Sequence, residues 1–377
     1  MPAPPPPALG NAFSLYLDLT RFAAAVMVVL AHVEFFGLIA PHAWGPLPGM
    51  GREAVIVFFV LSGYVIAATV DGRQPSARDY ALARLSRLYS VAMPVLLLAL
   101  AGAFAVRALD GRGAESGYVL DQLYLYLPFH LLFLGQHWTL SETPPLLLPY
   151  WSLCYEAWYY LLFGLAWYLR GRRRLLLVGL ALAFMGYKMW LLLPVWLAGA
   201  WLQRAYRAPW MRPWLARLGW LASLLLFAAW VGLGVEESLR AAGGAWWPFP
   251  ALPLGSADRY LADWVLALLV LVNFACARDA CFGALARIAR PLRLLAGHTF
   301  TLYLSHSVVI GLWLAFYPHR RGATGDLLLL GATIAATTFA LGALTEGRRD
   351  LYRAAFARLL APGGSARPPT PAGGPGT

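Results

Sequence analysis

The chain has 377 residues, of which 60% are hydrophobic and only 13% are charged, and its formal net charge is +12. Soluble domains carry about 25% charged residues, so this composition excludes an ordinary water-soluble protein. Apolar runs of about 20 residues recur along the chain, and each is long enough to cross a bilayer. We therefore predict an all-α polytopic integral membrane protein, with a lipid bilayer as its environment.

The positive charge is almost entirely arginine, and it lies between the apolar runs. In a soluble protein this charge would suggest a nucleic-acid partner. In a membrane protein it is better explained by the preference of arginine-rich loops for the cytoplasmic side. The sequence therefore predicts no nucleic-acid partner.

The chain divides into three parts. Residues 1–11 are rich in proline and predict a disordered leader. Residues 12–350 contain the apolar runs and predict one transmembrane domain. Residues 351–377 end in a stretch rich in Gly, Pro and Ser and predict a cytoplasmic, largely disordered tail. The predicted spans are 12–36, 51–70, 88–108, 150–169, 175–187, 190–204, 218–234, 260–277, 297–317 and 326–346.

The aromatic segment 118–136 is apolar enough to be considered as one more crossing. Without it, and with the N-terminus inside, the loops assigned to the cytoplasm hold 21 arginines and the outer loops hold seven. Counting it as a crossing would place the basic run 170–174 outside and break this alternation. We therefore predict about ten transmembrane helices with cytoplasmic N- and C-termini, and we assign segment 118–136 to the outer face as an interfacial or re-entrant segment.

The first apolar run carries three polar side chains on one helical face. Asp18 and Arg21 are three residues apart, and His32 follows Arg21 by eleven residues, which is three turns plus about 20°. Ionisable residues inside a span are costly and usually face a cavity or mark a site. With the predicted topology, Arg21 lies in the inner half of this helix and His32 in the outer half.

Glu156 belongs to the fourth predicted span, which runs from the outer surface inward. It lies about two turns below that surface, at a depth similar to that of His32. A histidine and a carboxylate that meet at one depth could form a general base and its orienting group. The alternative is that Glu156 pairs with an arginine for structural reasons.

Arg84 and Arg87 are spaced i, i+3 just before the third span. Two guanidinium groups on one helical face could hold a phosphorylated ligand through paired hydrogen bonds. The alternative is ordinary anchoring of the helix end by basic residues on the cytoplasmic side.

Other spans contain polar or small residues at mid-depth. The adjacent Ser62 and Gly63 indicate close helix packing rather than a nucleophile. His306, three residues after Tyr303, is either a second cavity residue or a structural histidine with satisfied hydrogen bonds. The histidines show no H-x-x-x-H or H-E-x-x-H spacing, so the sequence predicts no metal site.

Taken together and in this order, these motifs resemble membrane acyltransferase family 3. The resemblance extends from residue 12 to about residue 350. The residues that carry it are Asp18, Arg21 and His32; Phe58, Phe59, Ser62, Gly63 and Tyr64; Arg84 and Arg87; Trp151, Ser152, Leu153 and Glu156; Tyr303, Leu304 and His306; and Glu346.

The resemblance implies transfer of an acyl group, commonly acetyl, from acyl-CoA (acetyl-CoA) as co-substrate to a hydroxyl of a carbohydrate such as O-antigen or exopolysaccharide. It implies a multi-pass protein of the bacterial inner membrane, in the standalone form without an additional hydrolase-like domain, and no metal. His32 and Glu156 are the expected catalytic residues. The residues expected to bind substrate or cofactor are Arg21, Asp18, Arg84, Arg87, Ser62, Trp151, Tyr303 and His306.

Two other classes of membrane protein stay open. A transporter of a polysaccharide intermediate or organic acid would also contain scattered buried charges, although transporters often consist of two similar halves and no such repeat is found. A glycosyltransferase that uses a lipid-linked sugar would need acidic residues in its first outer loop, where Glu53 is the candidate.

Overall fold

A computed structural model describes residues 11–110, 117–206 and 209–360. These residues are predominantly helical, with no strand among them, which confirms the all-α prediction for this part of the chain. Residues 1–10 of the predicted leader and residues 361–377 of the predicted tail lie outside the described residues. The helices are α1 Asn11–Phe35, α2 Gly51–Arg73, α3 Ala77–Asp110, α4 Gly117–Asp121, α5 Leu123–Leu131, α6 Tyr150–Tyr168, α7 Gly171–Met185, α8 Tyr187–Ala205, α9 Pro213–Gly232, α10 Val235–Trp246, α11 Tyr260–Asp279, α12 Ala289–Gly297, α13 Thr299–Phe316, α14 Thr324–Leu344 and α15 Arg349–Leu359.

Each predicted span coincides with a helix, but fewer of these helices qualify as membrane spans. Within the described ranges, seven are long and apolar enough to cross a membrane, or up to eight if the bent pair α7–α8 counts as one span. α6 has 19 residues, but its many Tyr and Trp side chains lower its hydropathy. The protein is therefore an integral membrane protein, and the number of about ten crossings stays a prediction.

The bend between α7 and α8 measures 118° and lies at Gly186. Gly186 has a φ of +84°, a conformation that residues with a Cβ rarely adopt. A Cβ at this position would lie 2.7 Å from the backbone nitrogen of Trp138, so the loop before α6 packs directly against the bend. The two short predicted spans 175–187 and 190–204 are the arms of one bent unit.

Segment 118–136 contains the two short helices α4 and α5. A helix of nine residues extends about 14 Å, which is too short for a hydrocarbon core of about 30 Å. Tyr118 donates a 2.6 Å hydrogen bond to Glu142 in the following loop, and this bond raises the pKa of Tyr118 to about 12. The segment is not one continuous spanning helix, in agreement with the sequence-based assignment.

α2 and α8 cross in direct backbone contact. A Cβ on Gly63 would lie 1.9 Å from the carbonyl oxygen of Trp196, and a Cβ on Gly199 would lie 1.8 Å from the carbonyl oxygen of Val60. Small residues at a helix crossing allow this approach. The close packing predicted at Gly63 is confirmed, and it fixes the neighbouring Ser62 beside α8.

α15 packs along the beginning of α3. Arg78 of α3 donates a 2.9 Å hydrogen bond to the carbonyl oxygen of Ala357, and Arg353 lies 3.4 Å from Asp79. Residues 351–359, which the sequence assigns to a largely disordered tail, are therefore helical. Contacts with a helix about 270 positions earlier stabilise them, and such contacts are invisible to composition alone.

Candidate active site

An inner cavity of about 250 Å³ lies between α2, α3, α6 and α13. Its wall is apolar toward the beginning of α2 and charged toward the end of α2 and the beginning of α3. The structure therefore collects side chains from distant parts of the chain around one space. Six of the predicted site residues line it: Arg21, Ser62, Arg84, Arg87, Glu156 and Tyr303.

The carboxylate of Glu156 is held through one of its two oxygens. Ser62 Oγ donates a 2.7 Å hydrogen bond to Glu156 Oε1, and the hydroxyl of Tyr160 donates to the same oxygen. Trp196 Nε1 in turn donates a 3.2 Å hydrogen bond to Ser62 Oγ. Among the described residues Glu156 Oε2 has no hydrogen-bond partner, so this oxygen is available to a ligand in the cavity.

Arg84 and Arg87 form the charged end of the inner cavity. The guanidinium carbon of Arg84 lies 5.6 Å from the ring centroid of Tyr160, and that of Arg87 lies 5.8 Å from the ring centroid of Phe300. Arg84 Nε is buried without a hydrogen-bond partner. Neither arginine makes an ion pair within the part of the chain that the structure describes.

Arg21 differs from these two arginines because a carboxylate of its own helix accompanies it. Its Nη1 lies 3.3 Å from Asp18 Oδ1, one turn earlier on α1. Arg21 is also close enough to Glu156 and Arg87 to interact with both electrostatically. The i, i+3 pair that the sequence predicts is therefore formed beside the cavity.

Two larger cavities adjoin the charged end of the inner cavity. The wide cavity, of about 560 Å³, shares Val65, Arg84 and Arg349 with it and extends to the turn between α2 and α3. The charged end of the inner cavity therefore adjoins a cavity that is lined by exposed residues of the protein surface. The narrow cavity, of about 370 Å³, shares with the inner cavity Arg21, Arg87, Thr299, Phe300 and Arg349.

His32 and His306 form a hydrogen-bonded pair between α1 and α13, with His306 Nε2 3.0 Å from His32 Nδ1. His306 Nδ1 lies 2.9 Å from the carbonyl oxygen of Leu302, and His32 Nδ1 lies 2.9 Å from that of Val28. A carbonyl oxygen only accepts hydrogen bonds, so in the neutral pair both Nδ1 atoms carry the proton. His306 Nε2 then accepts from His32, and His32 Nε2 keeps a free lone pair.

The structure separates His32 from Glu156, which the sequence predicts at similar depths. Tyr303 contacts Ser152 with 2.5 Å between their hydroxyl oxygens. This contact marks one level along the bundle axis. On α6, Glu156 lies one turn from Ser152 toward the charged end of the cavity, and on α13, His306 lies nearly one turn from Tyr303 in the opposite direction. The backbone positions therefore differ by roughly 10 Å along the bundle. Among the described residues His306, and not Glu156, is the side chain that hydrogen-bonds to His32.

Trp151 lies outside the lining of the inner cavity, unlike the other residues of its motif. The guanidinium of Arg52 lies 5.0 Å from its ring centroid. Arg52 in turn forms a two-pronged ion pair with Asp263, with distances of 3.0 Å and 2.5 Å. Trp151 therefore stabilises the end of the bundle at which α2 begins.

Comparison with known families agrees with this geometry. Residues 14–345 match the family model of acyltransferase family 3, which is described as an acyltransferase domain. The chain belongs to this family. No curated protein and no solved structure matches it. The helices and the family together identify a membrane acyltransferase.

In this acyltransferase the aromatic wall of the inner cavity extends toward the histidine pair. The rings of Phe58 and Tyr303, which both line the cavity, meet edge to face with centroids 5.4 Å apart. The ring of Tyr303 also lies near His306, with ring centroids 6.4 Å apart. Tyr303 therefore connects the cavity wall with the histidine pair.

Sequence-based reasoning missed two polar residues of the acyltransferase site. Tyr160 follows Glu156 by four residues, and this helical spacing could have identified it. No helical spacing identifies Arg349. An arginine after the last span is already accounted for by the preference of basic residues for the cytoplasmic side. No group of three or more His, Cys, Asp or Glu side chains within the described ranges could hold a metal ion.

Proposed function

We propose that this acyltransferase moves an acyl group, with acetyl as the expected group, from acyl-CoA to a hydroxyl of a cell-surface or exported carbohydrate. The observation that carries the proposal is the polarity of the site. Arginines without ion pairs surround the end that reaches the surface, and a histidine with a free lone pair lies beyond the opposite end. This arrangement suits a donor that is anionic at one end and reactive at the other.

Arg84 and Arg87 would hold the phosphates of the donor. Guanidinium groups bind phosphate through charge-assisted hydrogen bonds and are only weakly hydrated. Their positions over Tyr160 and Phe300 keep the guanidinium planes in place before the donor arrives. Arg21, paired with Asp18, would line the path of the donor farther inside.

Glu156 would act on the donor side of the site and not as the partner of His32. Its Oε2 is free to accept a hydrogen bond from an amide or hydroxyl group of a substrate. Its negative charge also offsets part of the positive charge of Arg21 and Arg87. Ser62 and Tyr160 would hold this carboxylate in place.

His32 would act through Nε2. In direct transfer, Nε2 takes the proton of the acceptor hydroxyl while the hydroxyl oxygen attacks the thioester carbonyl carbon. The carbon–sulfur bond then breaks, and the imidazolium returns the proton to the thiolate. In a relay, Nε2 itself attacks the carbonyl carbon, the carbon–sulfur bond breaks and the thiolate leaves. The acceptor hydroxyl then attacks the acyl-histidine, the bond between the acyl carbon and Nε2 breaks, and the hydroxyl proton goes to the thiolate. In both routes the hydrogen bond to His306 would favour the tautomer in which His32 Nε2 is unprotonated before the reaction begins.

The orientation completes the proposal. Cytoplasmic N- and C-termini, with the arginine-rich loops inside, would turn the wide cavity toward the cytoplasmic pool of donor. His32 would then lie in the outer half of the membrane, close to a carbohydrate acceptor on the outer face of the inner membrane. Segment 118–136 would lie on that face.

The test of the function uses membrane vesicles that contain the protein, supplied with acetyl-CoA and monitored for free thiol. An acyltransferase consumes the thioester and releases thiol when an acceptor is present. Transport of a solute without any loss of thioester would contradict the proposal and support the transporter class.

The first predicted variant removes the phosphate-binding guanidinium groups. Arg84→Gln combined with Arg87→Gln should raise the KM for acetyl-CoA at least tenfold, because each hydrogen bond to a charged group contributes about 1.5–3 kcal/mol. Steady-state kinetics in vesicles measures the effect. Arg107→Gln, at the opposite end of α3 and exposed, is the matched control and should leave KM unchanged. An unchanged KM in the double variant would remove both residues from the donor site.

The second predicted variant tests the hydrogen bond between the histidines. His306→Leu should lower kcat about 100-fold, because His32 loses one of the two acceptors of its Nδ1 proton and the side chain that orients its ring. His306→Gln should recover part of this loss, since its side-chain oxygen can accept the same hydrogen bond. Equal activity of the two variants would show that His306 acts only by filling space.

A further inference from the structure

Arg349 is a half-buried arginine beside the candidate site, and it lies outside the residues that match the family. It begins α15, four residues after residue 345, where the match ends. It nevertheless lines the inner, the wide and the narrow cavity. Its side chain therefore lies where the three cavities adjoin.

Neutral acceptors hold the guanidinium of Arg349. Its Nη2 donates a 2.7 Å hydrogen bond to the carbonyl oxygen of Ala83, and its Nε lies 3.4 Å from Ser86 Oγ. Both acceptors belong to the turn of α3 that also contains Arg84. An arginine has five N–H donors, so donors remain for a ligand after these two contacts.

No carboxylate pairs with Arg349 in the described ranges, whereas Arg353, one turn later on the same helix, lies 3.4 Å from Asp79. Arg84 and Arg87 are close enough to Arg349 to repel it electrostatically. Arg84, Arg87 and Arg349 make no ion pair in the described ranges, and Glu156 and Glu346 offset only part of the charge of Arg87. The repulsion that remains among the three guanidinium groups is relieved when an anion reaches them. The cluster is therefore complementary to a phosphate ester, which accepts several guanidinium hydrogen bonds at once.

We propose that Arg349 is a third phosphate-binding residue of the donor site, contributed by a helix that follows the family domain. This inference rests on the proposed function, because it takes acyl-CoA as the donor. Arg349 belongs to α15, but its guanidinium lies against the turn of α3 that contains Arg84. The phosphates would therefore meet guanidinium groups contributed by two helices.

The test compares two acyl donors, acetyl-CoA and acetyl-pantetheine, which carries the same thioester without the nucleotide phosphates. Arg349→Gln should lower kcat/KM for acetyl-CoA at least tenfold and leave kcat/KM for acetyl-pantetheine unchanged. Arg349→Lys should give an intermediate loss, because lysine keeps the charge but not the planar donor geometry. Arg358→Gln, an exposed arginine of the same helix, is the matched control and should behave as wild type.

An equal loss with both donors would overturn the inference, because it would assign Arg349 to folding alone; so would no loss with either donor. If Arg349→Gln does not fold, the Arg349→Lys variant is compared with wild type for binding of adenosine 3′,5′-bisphosphate, and equal binding overturns the inference. If the proposed function itself is wrong, the wild-type protein shows it, because it will use acetyl-CoA and acetyl-pantetheine equally well or will use neither.

A lipid headgroup is another source of phosphate. A second measurement distinguishes binding of a lipid headgroup from binding of the acyl donor. The acetyl-CoA measurement is repeated in nanodiscs of purely zwitterionic lipid and in nanodiscs that contain phosphatidylglycerol. The same loss in both bilayers is expected for Arg349→Gln. A loss confined to the anionic bilayer would assign the phosphate to lipid and overturn the inference.

Discussion

His32→Ala should lower the rate of acyl transfer about 1,000-fold while leaving the amount of protein in the membrane unchanged. A positioned general base contributes about 10²–10⁴-fold to a rate, and a nucleophile in a relay contributes at least as much. The side chain is half-buried, and in the described part of the chain it hydrogen-bonds only to His306 and a backbone carbonyl, so its removal should cost little stability. Thiol release in vesicles, normalised to protein by immunoblot, measures the rate.

The control for this variant is His42→Ala, which changes an exposed histidine of the loop after α1. It should retain full activity. Full activity in His32→Ala at normal protein level would contradict the proposed chemistry and would move the search for the base to Glu156, whose Oε2 is the other free acceptor of the site.

Gly63→Val should prevent the protein from folding. The added Cβ would lie 1.9 Å from the carbonyl oxygen of Trp196, and a backbone atom cannot move aside as a flexible side chain can. Overpacking of a core usually costs about 1–3 kcal/mol, and a clash with backbone should exceed that range. Size-exclusion chromatography in mild detergent should show loss of the monodisperse peak, and thermal melting should show a lower Tm for any soluble remainder.

Gly72→Val is the control for helix propensity, because Gly72 lies on the same helix and a Cβ there meets nothing within 4 Å. This variant should fold. A well-folded Gly63→Val protein would mean that α2 and α8 are farther apart than the structure has them. Gly199→Val tests the same crossing from α8 and should fail in the same way, since its Cβ would meet the carbonyl oxygen of Val60.

Local spacing explains which parts of the site could be predicted from the sequence. Asp18 and Arg21 lie on one helical face because they are three residues apart, and the structure contains this ion pair. Arg84 and Arg87 share the cavity for the same reason. In each case one helix alone brings the residues together, so its period of 3.6 residues is sufficient.

Pairings between helices could not be predicted in the same way. His32 and His306 were both recognisable as costly polar residues in apolar spans, but their contact depends on how α1 packs on α13. The depth of Glu156 expected from the sequence depends on where the membrane surface is assumed to lie. Such a depth does not show that Glu156 and His306 lie on opposite sides of the contact between Tyr303 and Ser152. The number of crossings depends on a contact between distant residues for a related reason. Whether α7 and α8 count as one span or two depends on the bend at Gly186, which packs against Trp138.

The position of α15 also bears on how the protein is synthesised. The wall of the wide cavity combines the beginning of α3 with Arg349, Asp350 and Arg353 from α15. Ribosomes extend a chain from its N-terminus, and domains acquire structure in that order. Of the helices described, α15 is the last to be translated, so α3 is without its partner while about two-thirds of the chain is made. The wide cavity, which is the proposed donor entrance, therefore becomes complete only after the spans that surround the histidine pair have been made.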